Sequence, residues 1–458
     1  MMKKHMTLAC LATLALSMQA QEGGISPDML TCIKGAYQHT ASDKAIHNAM
    51  SGTSIAVLAR NQERLANFDT DFSDKVISKG ITDQKRSGRC WLFTGLNVLR
   101  AQMIAKYGLD EMTFSHNYCF FYDQLEKANL FLQGIIDTRN KPMDDKMVEW
   151  LFKNPIGDGG QFTGVSDLIM KYGVVPSSVM PETYSSENTS QISNLIALKL
   201  REYGLKLREE AAAGAKPKTL EEKKTEMLAT VYRMLALAMG EPVQKFKWTM
   251  NGVEKEYTPQ SFYQEFLGND LDNNYVMVMN DPSRDYYKCY EIDYDRHVYD
   301  GKNWTYVNLP VEEIKEMAIA SIKDSTMMYF SCDVGKFADS DRGMLDIHNF
   351  DYASLMGTDF PMNKKQRIQT FASGSTHAMT LMAVDLDKAG KPKKWMVENS
   401  WGSDTGFRGH MIMTDEWFNE YMFRLAVEKK YVPKKVLDIL KQKPVRLPAW
   451  DPMFAPEQ

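Results

Sequence analysis

Residues 84–93 read Gln84-Lys85-Arg86-Ser87-Gly88-Arg89-Cys90-Trp91-Leu92-Phe93, and the reading of the fold starts there. Leu92, Leu96, Leu99, Met103 and Ile104 recur mostly at three- and four-residue steps, with Phe93 widening the stripe. That spacing predicts a mostly buried helix which opens at Cys90 and stops at Gly108. A cysteine at a helix N-terminus meets free N–H groups and the positive end of the macrodipole, which favour the thiolate. Gly88 permits close approach of backbone to a ligand. Gln84 carries an amide donor that could converge with the Cys90 backbone N–H into an oxyanion hole. Taken alone, the stretch fits a buried structural cysteine equally well.

Working outward, residues 22–80 are polar and mixed, with a helical stretch around Ile55–Phe68. A second helix is predicted over Ser115–Phe131, and Asp158-Gly159-Gly160-Gln161 reads as a loop. Gln191–Gly240 is almost wholly helical in period, with Thr219 and Glu222 as a capping box and Ala211–Lys218 as a solvated connection. From Tyr275 the pattern turns to strands: Tyr275–Met279, Met327–Cys332, Ala378–Val384, Trp395–Glu398 and His410–Met413. A helical half followed by a β-rich half predicts an α+β fold. The boundaries drawn from these shifts are 1–20 leader, 21–80 arm, 81–190 helical half, 191–270 helical insertion, 271–445 β-rich half and 446–458 tail.

The 458 residues are 44% hydrophobic and 25% charged, which excludes a disordered or fibrous chain. A net charge of −4 gives no general attraction for phosphate, so no nucleic-acid partner is expected. The basic groups Lys364, Lys365 and Arg367, then Lys391, Lys393 and Lys394, then Lys429 and Lys430 read as solvated faces. Lys3 and Lys4, the apolar run Met6–Leu16 and the small residue Ala20 have the form of a secretory signal peptide, too short to span a bilayer. The expectation is export. Without Cys10 there remain Cys32, Cys90, Cys119, Cys289 and Cys332, an odd number with no C-x-x-C pair. Neither a disulfide scaffold nor a zinc site is expected.

A nucleophilic cysteine needs a base, and the base needs an orienting partner. His39, His47, His297 and His348 sit in polar stretches, and His116 and His410 have no partner at a suitable spacing. His377 begins the strand Ala378-Met-Thr-Leu-Met-Ala, and Asn399 ends the next one. Adjacent strands can set an amide oxygen against an imidazole N–H.

Three motifs together resemble the papain superfamily of cysteine peptidases: Gln84…Ser-Gly-Arg-Cys90-Trp91, Thr376-His377-Ala378-Met379 and Glu398-Asn399-Ser400-Trp401-Gly402. Asn280-Asp281-Pro282, Ala320–Asp324, Cys332–Lys336, Met413–Phe418 and Leu447–Met453 match its bleomycin hydrolase/aminopeptidase C branch. Two features depart from the compact enzymes. Ser87 stands where they carry the neighbouring disulfide cysteine, and His377 lies far beyond their ~130–150-residue spacing. The helical insertion accounts for part of that excess.

The resemblance implies a papain-like fold with a helical insertion and a C-terminal tail in the active-site cleft. It implies Cys90 as nucleophile, His377 as base and acid, Asn399 as orienting residue and Gln84 as oxyanion donor. Trp401 would shield the His–Asn bond, Gly159 and Gly160 would hydrogen-bond peptide substrate, and the carboxylate of Gln458 would meet the substrate amine. It further implies no cofactor, a homohexamer and aminopeptidase activity. Endopeptidase activity and a silent oligomeric scaffold are the alternatives, as is the cytoplasmic location common in the family.

Overall fold

The computed structural model describes residues 23–37, 39–65 and 69–452. The proposed leader, 1–20, and Gln458 lie outside these residues. The chain divides into two compact units. One holds the described residues up to Arg60 together with Tyr352–Gly357. It consists of short capped helices, among them Pro27–Ala36, Ala41–Gly52 and Ile55–Ala59. The helix expected over Ile55–Phe68 is therefore interrupted: Arg60 leaves helical geometry, and a separate turn, Gln62–Leu65, follows in the second unit.

The second unit has a helical side and a sheet. Five helices matter to the site: α1 Cys90–Tyr107, α2 His116–Asp137, α3 Phe162–Tyr172, α4 Ser190–Ala212 and α5 Pro217–Met239. Gly108 ends α1 at φ 63, a left-handed C-cap that glycine adopts without a Cβ penalty. α1 is buried all round, including Thr94, Asn97 and Arg100, not only along its apolar stripe. Gly95 is where it meets α3, since a Cβ there would lie 2.5 Å from Val165. α2 runs one and a half turns beyond the predicted end. Thr219 is no cap: Lys216 is the N-cap and Pro217 occupies the first turn, where its missing N–H costs nothing.

The main strands are β1 Tyr275–Met279, β2 Lys288–Ile292, β3 Thr305–Asn308, β4 Met328–Cys332, β5 His377–Leu386, β6 Pro392–Glu398, β7 His410–Thr414 and β8 Met422–Glu428. Their order is β2-β3-β1-β8-β4-β5-β6-β7, with short strands at both ends and Asp74–Lys75 on β5. Neighbours from β1 through β8, β4, β5 and β6 to β7 are antiparallel. β2, β3 and β8 carried no distinct alternation in the sequence, yet β8 is central.

The sheet parts two apolar cores. On β1, Met277 and Met279 join the helical core with α1–α3, while Val276 and Val278 join the core beneath Val311–Lys323 and Asp415–Tyr421. That is the period-two alternation of a strand covered on both faces. Each fully buried aliphatic side chain contributes roughly 1.5–3 kcal/mol. The predicted solvated basic faces need correction at two lysines. Lys364 is buried and donates to Asn280, Asn419 and Met422, and burial pushes its pKa down to about 7. Lys394 is also buried and pairs with Asp69 and Asp385.

Candidate active site

Cys90 opens α1 with its side chain wholly buried. The N-cap is Arg89, which supplies no side-chain cap; the Leu92 and Phe93 N–H groups both bond its carbonyl, at 2.9 and 3.0 Å. The sulfur thus lies at the positive end of a helix that its own N-cap side chain leaves uncapped. The sulfur accepts from the Ala378 N–H at 3.5 Å, which puts it against the first turn of β5, next to His377. Arg89 is itself buried, held by Glu182 at 2.9 Å and by Ser87, with the Phe93 and Phe120 rings 5.1 and 5.3 Å away. It is a fixed cation directly before the thiol.

β5 and β6 pair with Thr380 opposite Glu398, so His377 and Asn399 come off the same end of the hairpin. His377 Nε2 and Asn399 Oδ1 are 2.8 Å apart and buried. The Ser400 backbone N–H also donates to that Oδ1, at 2.8 Å. A backbone N–H can only donate, so this end of the amide is the oxygen and His377 Nε2 is the donor. In the neutral ring the proton is then on Nε2 and the lone pair on Nδ1, the form a general base requires. The Trp401 ring lies 4.7 Å from the imidazole, tilted by 32°.

Gln84 reaches the same place through backbone pairing. Its N–H donates to the Ser400 carbonyl at 2.8 Å, and the Gly402 N–H donates to Thr82 at 3.1 Å. Gln84 Oε1 accepts from Ser400 Oγ at 2.7 Å, while Nε2 donates to the Ser87 carbonyl at 2.6 Å. One of its two amide hydrogens is thus spent inside the loop. Lys85 follows with φ 53, a left-handed conformation costly for a lysine, held by the Asp83 carboxylate on its N–H.

Gly159 and Gly160 form a buried loop against Trp91, whose Nε1 donates to the Asp158 carbonyl at 2.8 Å. A Cβ on Gly160 would lie 2.5 Å from His297 and 2.7 Å from Trp91, so only glycine fits. Both glycines line a cavity of about 420 Å³ whose walls include Trp150, Tyr294, His297 and the tail residues Ala449–Pro452. The tail is pinned by Asp451, which accepts two 2.7 Å bonds from Arg284; Arg284 also holds Asp281. Pro452 comes close to Gly374, in the segment that leads into His377.

The arrangement brings Cys90, His377, Asn399, Gln84 and Trp401 to one junction of α1 with β5 and β6, while Gly160 packs against Trp91, the residue after Cys90. Among the described residues no group of three or more His, Cys, Asp or Glu is placed to hold a metal. Sequence reasoning passed over His297, which is buried and bonded through Nδ1 to Asp123 at 2.5 Å, its partner being 174 residues away in the chain. It also passed over Arg100, whose buried ion pair with Glu398, at 2.5 Å, ties α1 to the residue before Asn399.

The family model for the Peptidase C1-like family matches residues 24–454. The chain belongs to the Peptidase C1-like family. This peptidase is 38% identical to bleomycin hydrolase of Homo sapiens, over 82% of its own length and 86% of the relative's. It is 36% identical to aminopeptidase C of Lactobacillus delbrueckii subsp. lactis, over 89% and 93%. The crystal structure of PepW from Lactobacillus rhamnosis HN001 superimposes with a TM-score of 0.90 at 35% identity, covering 95% of this chain and all of that one. The α+β, papain-like arrangement expected from the sequence is the one found, and the peptidase is of the cysteine type.

Proposed function

We propose that this chain is an aminopeptidase in which Cys90 is the nucleophile, His377 the base and acid, Asn399 the orienting group and Gln84 an oxyanion donor. The observation that carries the reading is the fixed His377–Asn399 bond beside the Cys90 sulfur, with the imidazole tautomer set by the Ser400 N–H. The thiolate attacks the scissile carbonyl carbon, and the oxyanion takes hydrogen bonds from the helix N-terminus and the second Gln84 amide hydrogen. His377, having taken the Cys90 thiol proton on Nδ1, passes it to the departing amine as the C–N bond breaks, leaving a thioester on Cys90. Water, deprotonated by His377, then releases the acid and restores the thiol.

Restriction to chain ends is assigned to the tail. Its anchored part, Ala449–Pro452, walls the same cavity as Gly159 and Gly160, and the six residues that follow lie outside the described part. The Gln458 carboxylate would pair with the substrate α-ammonium and block longer chains. Homohexamer assembly and export after cleavage near Ala20 complete the reading. The first rests on the resemblance to bleomycin hydrolase and the second on residues 3–20. Among the described residues no helix is long and apolar enough to cross a membrane.

The test compares a free-amine aminoacyl amide with its N-acetylated twin under reducing conditions. Cleavage of only the free-amine substrate, lost in Cys90→Ala, supports the reading. Equal cleavage of both substrates leaves an endopeptidase, and no cleavage by folded protein leaves a scaffold. Sedimentation of the purified protein tests the hexamer, and N-terminal sequencing of exported material tests the cleavage site.

A further inference from the structure

We propose that Lys127, on α2, is a positioning residue that holds the Gly157–Gly160 loop in register with the nucleophile helix. The ammonium has three donors, and three acceptors meet them: the Gly157 carbonyl at 2.9 Å, the Gly159 carbonyl at 2.6 Å and Asp123 Oδ2 at 2.8 Å. With its donors saturated inside the protein, Lys127 acts on the loop and not as a charge offered to substrate. It also lies 5.3 Å from the Trp91 ring centroid, and Trp91 binds the intervening Asp158 carbonyl. Three consecutive carbonyls are therefore fixed by α1 and α2 side chains, with Gln124 adding a second donor to Gly157 at 3.0 Å.

The clamp has a buried support. Asp123 is fully buried between Lys127 and His297, and His297 packs edge-on against Trp91 at 4.8 Å, directly behind Gly160. A lone ammonium pulled toward two carbonyls at the edge of a cavity would be free to reorient; the carboxylate behind it prevents that. The consequence is a loop whose remaining backbone edge is presented in one place. Neither Lys127 nor Asp123 belongs to a motif in the sequence, because the clamp is made by groups 30 and 32 residues apart meeting across α2.

The inference rests on the proposed role of Gly159 and Gly160 in holding substrate. Its test is Lys127→Met, with the double variant Lys127→Met/Asp123→Asn removing both buried charges so that no orphaned carboxylate unfolds the protein. The expected result in both is a KM for a free-amine aminoacyl amide raised about tenfold or more, with kcat within about threefold of the parent. The pH profile of Cys90 alkylation by iodoacetamide should superimpose on the parent's. Unchanged KM in folded variants overturns the assignment, as does a displaced alkylation profile with a loss in kcat alone. Gly160→Ala is measured alongside. Unchanged KM there overturns the loop reading itself, whereas raised KM there with unchanged KM in the Lys127 variants overturns only the assignment to Lys127.

Discussion

Two buried histidines, His377 and His297, each bond a side-chain oxygen, 22 and 174 residues away along the chain. Their partners differ in kind. Asn399 is neutral, so it fixes the orientation of His377 and leaves the ring able to gain and lose a proton beside a thiol. Asp123 is charged but compensated by Lys127; burial pushes its carboxyl up, yet Lys127 and His297 outweigh that and hold it below its ordinary range. Burial and the Lys127 charge push His297 down, against the opposing pull of Asp123. In the proposed mechanism one pair exchanges protons at the reaction centre. The other is built to stay put behind Gly160, where a Cβ has no room. Burial is common to both and distinguishes neither; the charge of the partner and the presence of a nucleophile do.

The comparison breaks first at the reaction centre. Cys90→Ala or His377→Ala should lower kcat/KM by about four to six orders of magnitude with little loss of stability, measured by steady-state kinetics and urea unfolding. Asn399→Ala removes only orientation and should cost about 10²-fold, in kcat more than in KM. At the second pair, Gly160→Ala forces His297 and Trp91 to move, an overpacking that should cost about 1–3 kcal/mol in urea unfolding and raise KM. The finest distinction is in pH dependence. His297 and the stacked, buried His116 both have folded-state pKa values lowered by burial, so the unfolded chain binds more protons below about pH 6.5. These two histidines contribute a decline in stability as pH drops from 7 to 5, which Asp167 opposes, its carboxyl being pushed up to about 7 by burial. His297→Gln should make that decline shallower, whereas Asn399→Ala should leave its slope unchanged; equal slopes in parent and His297→Gln would remove His297 as a source.

The same contrast separates what was legible from what was not. α1 could be read because its apolar spacing and Gly108 are local, and the His377–Asn399 hairpin because its strands are consecutive. α5 was read with the wrong cap, since a Ser/Thr signal and a proline signal competed within four residues and proline's fixed φ won. β8 escaped notice although it lies mid-sheet, because a strand covered on both faces shows no polar alternation. Lys364 was assigned to a charged surface run, yet the fold surrounds it with three acceptors that no local pattern announces.

By itself the sequence determined the helix that opens at Cys90, the strand pair that brings His377 to Asn399, and through them the family and its chemistry. These depend on periodicity and on neighbours along the chain. Only the tertiary structure decided that His297 belongs with Asp123, that Arg100 ties α1 to Glu398, that Arg284 pins the tail and that Lys127 clamps the glycine loop. Three are pairings of charged or titratable groups far apart in sequence, and the fourth sets the Lys127 ammonium on backbone carbonyls. Such groups are kept together because burying any one of them alone costs more than a folded chain of marginal stability can sustain. Hydrophobic spacing records which face of an element is buried; it carries no record of which charge will be found there.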